Sequence, residues 1–137
     1  MKYLVEHGAD INKEDEYGET PLFIVCEKGH ENIVKYLVEN GADVNKENEN
    51  GETPLFIACD GIHENIVKYL VEHGAIINKE DEYGEFPLIL TFEEWRENIA
   101  KYLIENGISI NKEKWNPLFI ACAKRHKIVI PWIFNGT

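Results

Sequence analysis

The sequence predicts an all-α fold, a solenoid of stacked antiparallel helix pairs, on three observations. Four phrases ending in asparagine recur at a constant 33-residue step: Ala9-Asp10-Ile11-Asn12, Ala42-Asp43-Val44-Asn45, Ala75-Ile76-Ile77-Asn78 and Ile108-Ser109-Ile110-Asn111. A fixed period of this size marks an array of small units that bury their apolar faces on one another, not a globule with one central core. Each step also carries two short apolar runs at helical spacing, and glycine and proline punctuate the same places from step to step.

Within one step the elements follow in order. Asp15 to Gly18 has a turn-former first and glycine fourth, as do Asn48 to Gly51 and Asp81 to Gly84, which predicts a β-turn at each place. Thr20-Pro21 then sets a hydroxyl cap before a proline whose missing N–H costs nothing at the first helical position. Leu22, Phe23, Val25 and Cys26 give the first helix its apolar face, and Gly29 ends it after about two turns. The second helix starts on Glu31, favourable for the helix dipole, and shows one apolar stripe at 33, 34, 37 and 38 before Gly41 closes it. The recurrent asparagines Asn12, Asn45, Asn78 and Asn111 are expected to bond backbone groups in the loops that follow.

These residues resemble the ankyrin repeat. The resemblance is carried by Gly18, Thr20, Pro21, Leu22, Gly29, His30, Ile33, Val34, Leu37, Gly41, Ala42, Asp43 and Asn45. It implies an ankyrin-repeat solenoid whose β-hairpin-like loops project from the helix pairs to give an L-shaped section and a concave face. The units fall at 1–14 (partial), 15–47, 48–80, 81–111 (divergent) and 112–137 (divergent, terminal), together one domain over 1–137. Where the family prefers histidine after Thr-Pro-Leu, this chain has Phe23, Phe56, Ile89 and Phe119, which predicts apolar packing in place of a hydrogen-bonded ring. Phe86, Phe92, Trp95 and Arg96 depart from the pattern in the fourth unit, the loop before Pro117 is shortened, and Pro131 interrupts the last helix. The chain also begins inside a second helix, so both ends read as uncapped and predict either a fragment of a longer array or self-association through the terminal repeats.

The content of apolar residues (44%) and charged residues (28%) is that of a folded, water-soluble chain. Against 14 basic residues stand 25 acidic ones, a formal charge of −11 that would repel phosphate backbones and anionic headgroups, so nucleic acid and membranes are excluded as expected partners. No apolar run reaches the roughly 20 residues of a membrane helix, and the chain reads as intracellular, cytoplasmic with a nuclear location still open. Cys26, Cys59 and Cys122 share one slot in three units; stacked slots sit about 8–10 Å apart, beyond disulfide reach, which predicts reduced, buried thiols.

Catalysis finds no support. Ser109 is the sole serine, and phosphate-loop, Cys-x-x-Cys and His-Glu-x-x-His patterns are missing from the sequence. His30, His63 and His126 recur at one helix-start slot, and His7 and His73 at another where Asn40 and Asn106 replace them, so the repeat itself accounts for the histidines. No catalytic residue, metal site or cofactor is expected.

Partners of ankyrin repeats commonly touch the turn tips and the open side of the first helices. Transferred slot by slot, those positions are Glu16, Tyr17, Glu19, Glu27 and Lys28; Glu49, Asn50, Glu52 and Asp60; and Glu82, Tyr83, Glu85, Glu93 and Glu94, with Trp95 extending the aromatic set. Acidic residues dominate and Lys28 alone is basic, so the expected function is protein binding on an acidic concave face that attracts a basic protein or peptide. Residues 18–45 match 51–78 at 21 of 28 positions, which leaves open a second origin for the acidity, recent duplication of a soluble unit. The alternative function is a structural spacer within a larger repeat protein.

Overall fold

The computed structural model describes residues 8–77, 79–84 and 97–106. It has five helices there, α1 Pro21–Lys28, α2 Glu31–Glu39, α3 Pro54–Asp60, α4 Glu64–Glu72 and α5 Glu97–Glu105, and no strand among the described residues. First helices pack on first helices (α1 on α3) and second on second (α2 on α4, α4 on α5), while α1–α2 and α3–α4 are the pairs within units. This is the predicted all-α stack.

The caps form as the sequence dictates. Thr20 Oγ1 accepts the Phe23 N–H at 3.3 Å and Thr53 Oγ1 accepts the Phe56 N–H at 3.2 Å. Both threonines are almost fully buried, so each hydroxyl satisfies a helix-start donor that water cannot reach. Leu22, Phe23, Val25 and Cys26 are the buried face of α1, as expected, and Phe23 and Phe56 fill the place of the family's histidine with apolar packing. Val34 and Leu37 are buried on α2, with Ile33 and Val38 half-buried beside them.

The turn between α1 and α2 is a Schellman motif: Gly29 lies at φ 76° and the His30 N–H reaches back to the Val25 carbonyl at 3.0 Å. In the next unit the glycine stands one position earlier in the chain. Gly61 is right-handed at φ −81°, and Ile62 takes the left-handed place at φ 60° while keeping the same bonds, Ile62 N–H to Cys59 O at 3.2 Å and His63 N–H to Ala58 O at 3.0 Å. The sequence pattern did not reveal this exchange.

Second helices end on Asn40 and His73, one residue before the left-handed Gly41 and Gly74. Asn40 Nδ2 donates to Tyr36 O at 2.8 Å, His73 Nδ1 to Tyr69 O at 2.7 Å and Asn106 Nδ2 to Tyr102 O at 2.8 Å. Asparagine and histidine interchange in this slot because each offers an N–H to a helix-end carbonyl.

The recurrent asparagines bond across units. Asn12 Oδ1 accepts the Asp43 N–H at 2.8 Å, and Asn45 Oδ1 accepts the Ile76 N–H at 2.8 Å while its Nδ2 donates to Gly74 O at 3.0 Å. Asn78 and Asn111 lie outside the described residues. Cys26 and Cys59 are buried and outside any disulfide, and burial pushes the Cys26 thiol up to about 12, which removes its nucleophilic form at neutral pH. Cys122, the divergent residues Phe86, Phe92 and Arg96, the loop before Pro117 and Pro131 also fall outside the described residues.

Candidate protein-binding surface

Each turn tip is built by a side chain and closed by the backbone. Asp15 Oδ1 accepts the N–H groups of Tyr17 and Glu19, both at 2.9 Å; Asn48 Oδ1 accepts those of Asn50 and Glu52, both at 3.0 Å; and Asp81 Oδ1 accepts that of Tyr83 at 2.9 Å. Gly18, Gly51 and Gly84 donate back to Asp15, Asn48 and Asp81 at 3.1–3.2 Å, completing the predicted turns. Below the first two tips, Asp15 N–H meets Glu19 O and Asn48 N–H meets Glu52 O at 3.0 Å, the closing bonds of hairpin-like loops.

The tips then join to one another. Glu49 N–H donates to Tyr17 O at 3.0 Å and Glu82 N–H to Asn50 O at 2.8 Å, so three successive tips form one row. Glycine is required for this approach: a Cβ on Gly18, at φ 74°, would stand 3.0 Å from Glu49 N. Beside the row, Lys46 pairs with Glu14 at 2.9 Å and Lys79 with Glu47 at 2.6 Å, half-exposed contacts worth little to stability.

The row presents Glu16, Tyr17, Glu49, Asn50, Glu82 and Tyr83 to solvent, with Tyr17 58% and Tyr83 75% exposed. Glu27, Lys28 and Asp60 are exposed on the first helices and their ends, whereas Glu19 and Glu52 are half-buried. Glu85, Glu93, Glu94 and Trp95 lie outside the described residues. Burial, and then the carboxylates of Asp15, Glu27 and Glu52, raise the Glu19 pKa above its ordinary value, so four carboxylates from two units share one field. Glu52 Oε1 is held by Asn48 Nδ2 at 3.0 Å and Asn50 Nδ2 at 3.4 Å. Sequence reasoning missed this fixing of Glu52, although the asparagines four and two residues before it were visible. The Tyr83 phenol bonds the Glu82 carboxylate, which raises its pKa. Among the described residues no group of three or more metal-ligating side chains gathers, and no helix is long and apolar enough to cross a membrane.

The family model for ankyrin repeats, in three copies, matches residues 1–81, more than half the chain. The chain belongs to the ankyrin-repeat family. Membership makes it a repeat protein of a family that serves as a protein-interaction module and is typically non-catalytic. Similar proteins include the potassium channel AKT1 of Arabidopsis thaliana, 52% identical over 33 residues, and protein phosphatase 1 regulatory subunit 27 of Homo sapiens, also 52% identical over 33 residues. Each match takes in 24% of this chain, 4% of the channel and 21% of the regulatory subunit. The likeness is thus one repeat long, far short of the relatives' own lengths.

Proposed function

We propose that this ankyrin-repeat chain is a non-catalytic binding module whose acidic row of turn tips takes a basic protein or peptide surface. The observation that carries the reading is the row itself. The Glu49 N–H to Tyr17 O and Glu82 N–H to Asn50 O bonds align exposed Tyr17 and Tyr83 with Glu16, Glu49 and Glu82 on one edge. Aromatic rings beside carboxylates suit lysine and arginine, which gain charge attraction from the acids and cation–π contact from the rings. The net charge of −11 favours the same partner at long range and disfavours nucleic acid and anionic membranes. Cys26 and Cys59, buried and outside any disulfide, fit work inside the cell, where cysteines stay reduced.

The test is capture on a panel of immobilised lysine- and arginine-rich peptides, with acidic and neutral peptides as controls. The wild-type chain should bind the basic set selectively, and Tyr17→Ala with Tyr83→Ala should reduce capture about tenfold, as expected of aromatic anchors. Equal capture by the variant would remove the anchors from the account.

A second reading, a spacer within a larger repeat protein, is favoured by the relatives: the same 33-residue likeness occurs in a channel and in a regulatory subunit. It predicts no selective partner on the panel, together with a gain in stability when further repeats are added at either end.

A further inference from the structure

We infer that the turn between α3 and α4 is a sprung segment held shut by His63, a conformational device that the preceding, nearly identical unit does not contain. Ile62 is the only non-glycine with positive φ among the described residues, and a β-branched side chain is the kind least suited to that backbone. It is also 53% exposed, so no burial compensates the strain. In the preceding unit the same slot holds Gly29, at φ 76°, and the turn is unstrained.

The clasp is the ring of His63. Its Nε2 donates to the Glu27 carbonyl at 3.0 Å, tying the strained turn to the end of α1 in the previous unit. The ring fits only because two glycines flank it. A Cβ on Gly29 would come within 2.5 Å of His63 Cε1, and one on Gly61 within 2.6 Å of Nε2. Gly61 therefore makes room for the ring, and Ile62 is left to bear the left-handed conformation. The displaced glycine and the cross-unit bond belong to one arrangement. When the bond breaks, the strain at Ile62 favours opening of the turn, whereas the Gly29 turn has no such stored drive.

Amide hydrogen exchange on the full chain tests this, with residues 28–30 serving as an internal control for 61–63. His63→Ala should speed exchange at 61–63 about tenfold, an effect of the size expected for a residue forced into the left-handed region. Gly61→Ala should do the same while keeping the histidine, since the added methyl displaces the ring although φ −81° suits alanine. Ile62→Gly should slow exchange there and restore slow exchange to the His63→Ala chain. His30→Ala should leave residues 28–30 unchanged. If Gly61→Ala slows exchange, as an alanine does at an unhindered right-handed site, or if Ile62→Gly fails to rescue His63→Ala, the clasp does not exist.

Discussion

Asn45 and Ile76 are joined across a unit boundary: the side-chain oxygen of one accepts the backbone N–H of the other at 2.8 Å, 31 residues along the chain. Asn12 and Asp43 repeat the relationship at the same distance and separation. Because Asn45 also donates to Gly74 O, its removal breaks two bonds across the boundary at once. Asn45→Ala should destabilise the chain by about 1–3 kcal/mol. Asn45→Asp keeps the acceptor and should cost less. Urea unfolding followed by circular dichroism measures both, and equal costs would show that the Gly74 bond carries the effect.

The buried caps should matter alike in both units. Thr20→Ala and Thr53→Ala each remove the acceptor for a helix-start N–H, at Phe23 and Phe56, and each should cost about 1–2 kcal/mol in the same experiment.

Gly18 and Gly41 separate two reasons for glycine. Both have positive φ, but a Cβ at Gly41 meets nothing within 4 Å, while one at Gly18 crowds Glu49 N. Gly41→Ala should cost about 1 kcal/mol from conformation alone, and Gly18→Ala about 1 kcal/mol more from loosening the Tyr17–Glu49 bond. Thermal melts distinguish them.

Glu19 predicts a pH dependence. Its folded-state pKa is raised, by burial first and by neighbouring carboxylates second, so the folded chain holds its proton more tightly than the unfolded chain does. Its ionised form therefore opposes folding at neutral pH, and that opposition fades as pH falls through the folded pKa. Glu19→Gln should stabilise by a few tenths of a kcal/mol at pH 7. The gain should vanish below the unfolded value of about 4.3, where both states are protonated. A gain that persists in acid would assign the effect to packing.

The caps, turns and apolar faces were legible because each follows from a local rule: a hydroxyl before Pro21, a glycine three residues after Asp15, a stripe through Val34 and Leu37. The family was legible because those rules recur at 33 residues. The partners of Asn12 and Asn45 were only half legible, since the repeat fixes where an asparagine stands but not that it reaches into the next unit. The Gly61-Ile62 exchange was hidden for a similar reason. Its two residues differ from Lys28-Gly29 by a one-position shift of glycine, and only the backbone shows that the turn geometry did not shift with it. The tip row depends on backbone bonds between units, which no side-chain pattern encodes.

The acidic row is the central functional claim, and the most direct test is a fluorescence-anisotropy titration of a labelled arginine-rich peptide. Wild type would be compared with a Glu16→Gln, Glu49→Gln, Glu82→Gln chain at 50 and 200 mM salt. The account predicts tight binding by the wild type, at least tenfold weaker binding by the variant, and a smaller salt effect in the variant. Equal affinity of the two chains, or equal binding of an acidic peptide, would contradict it.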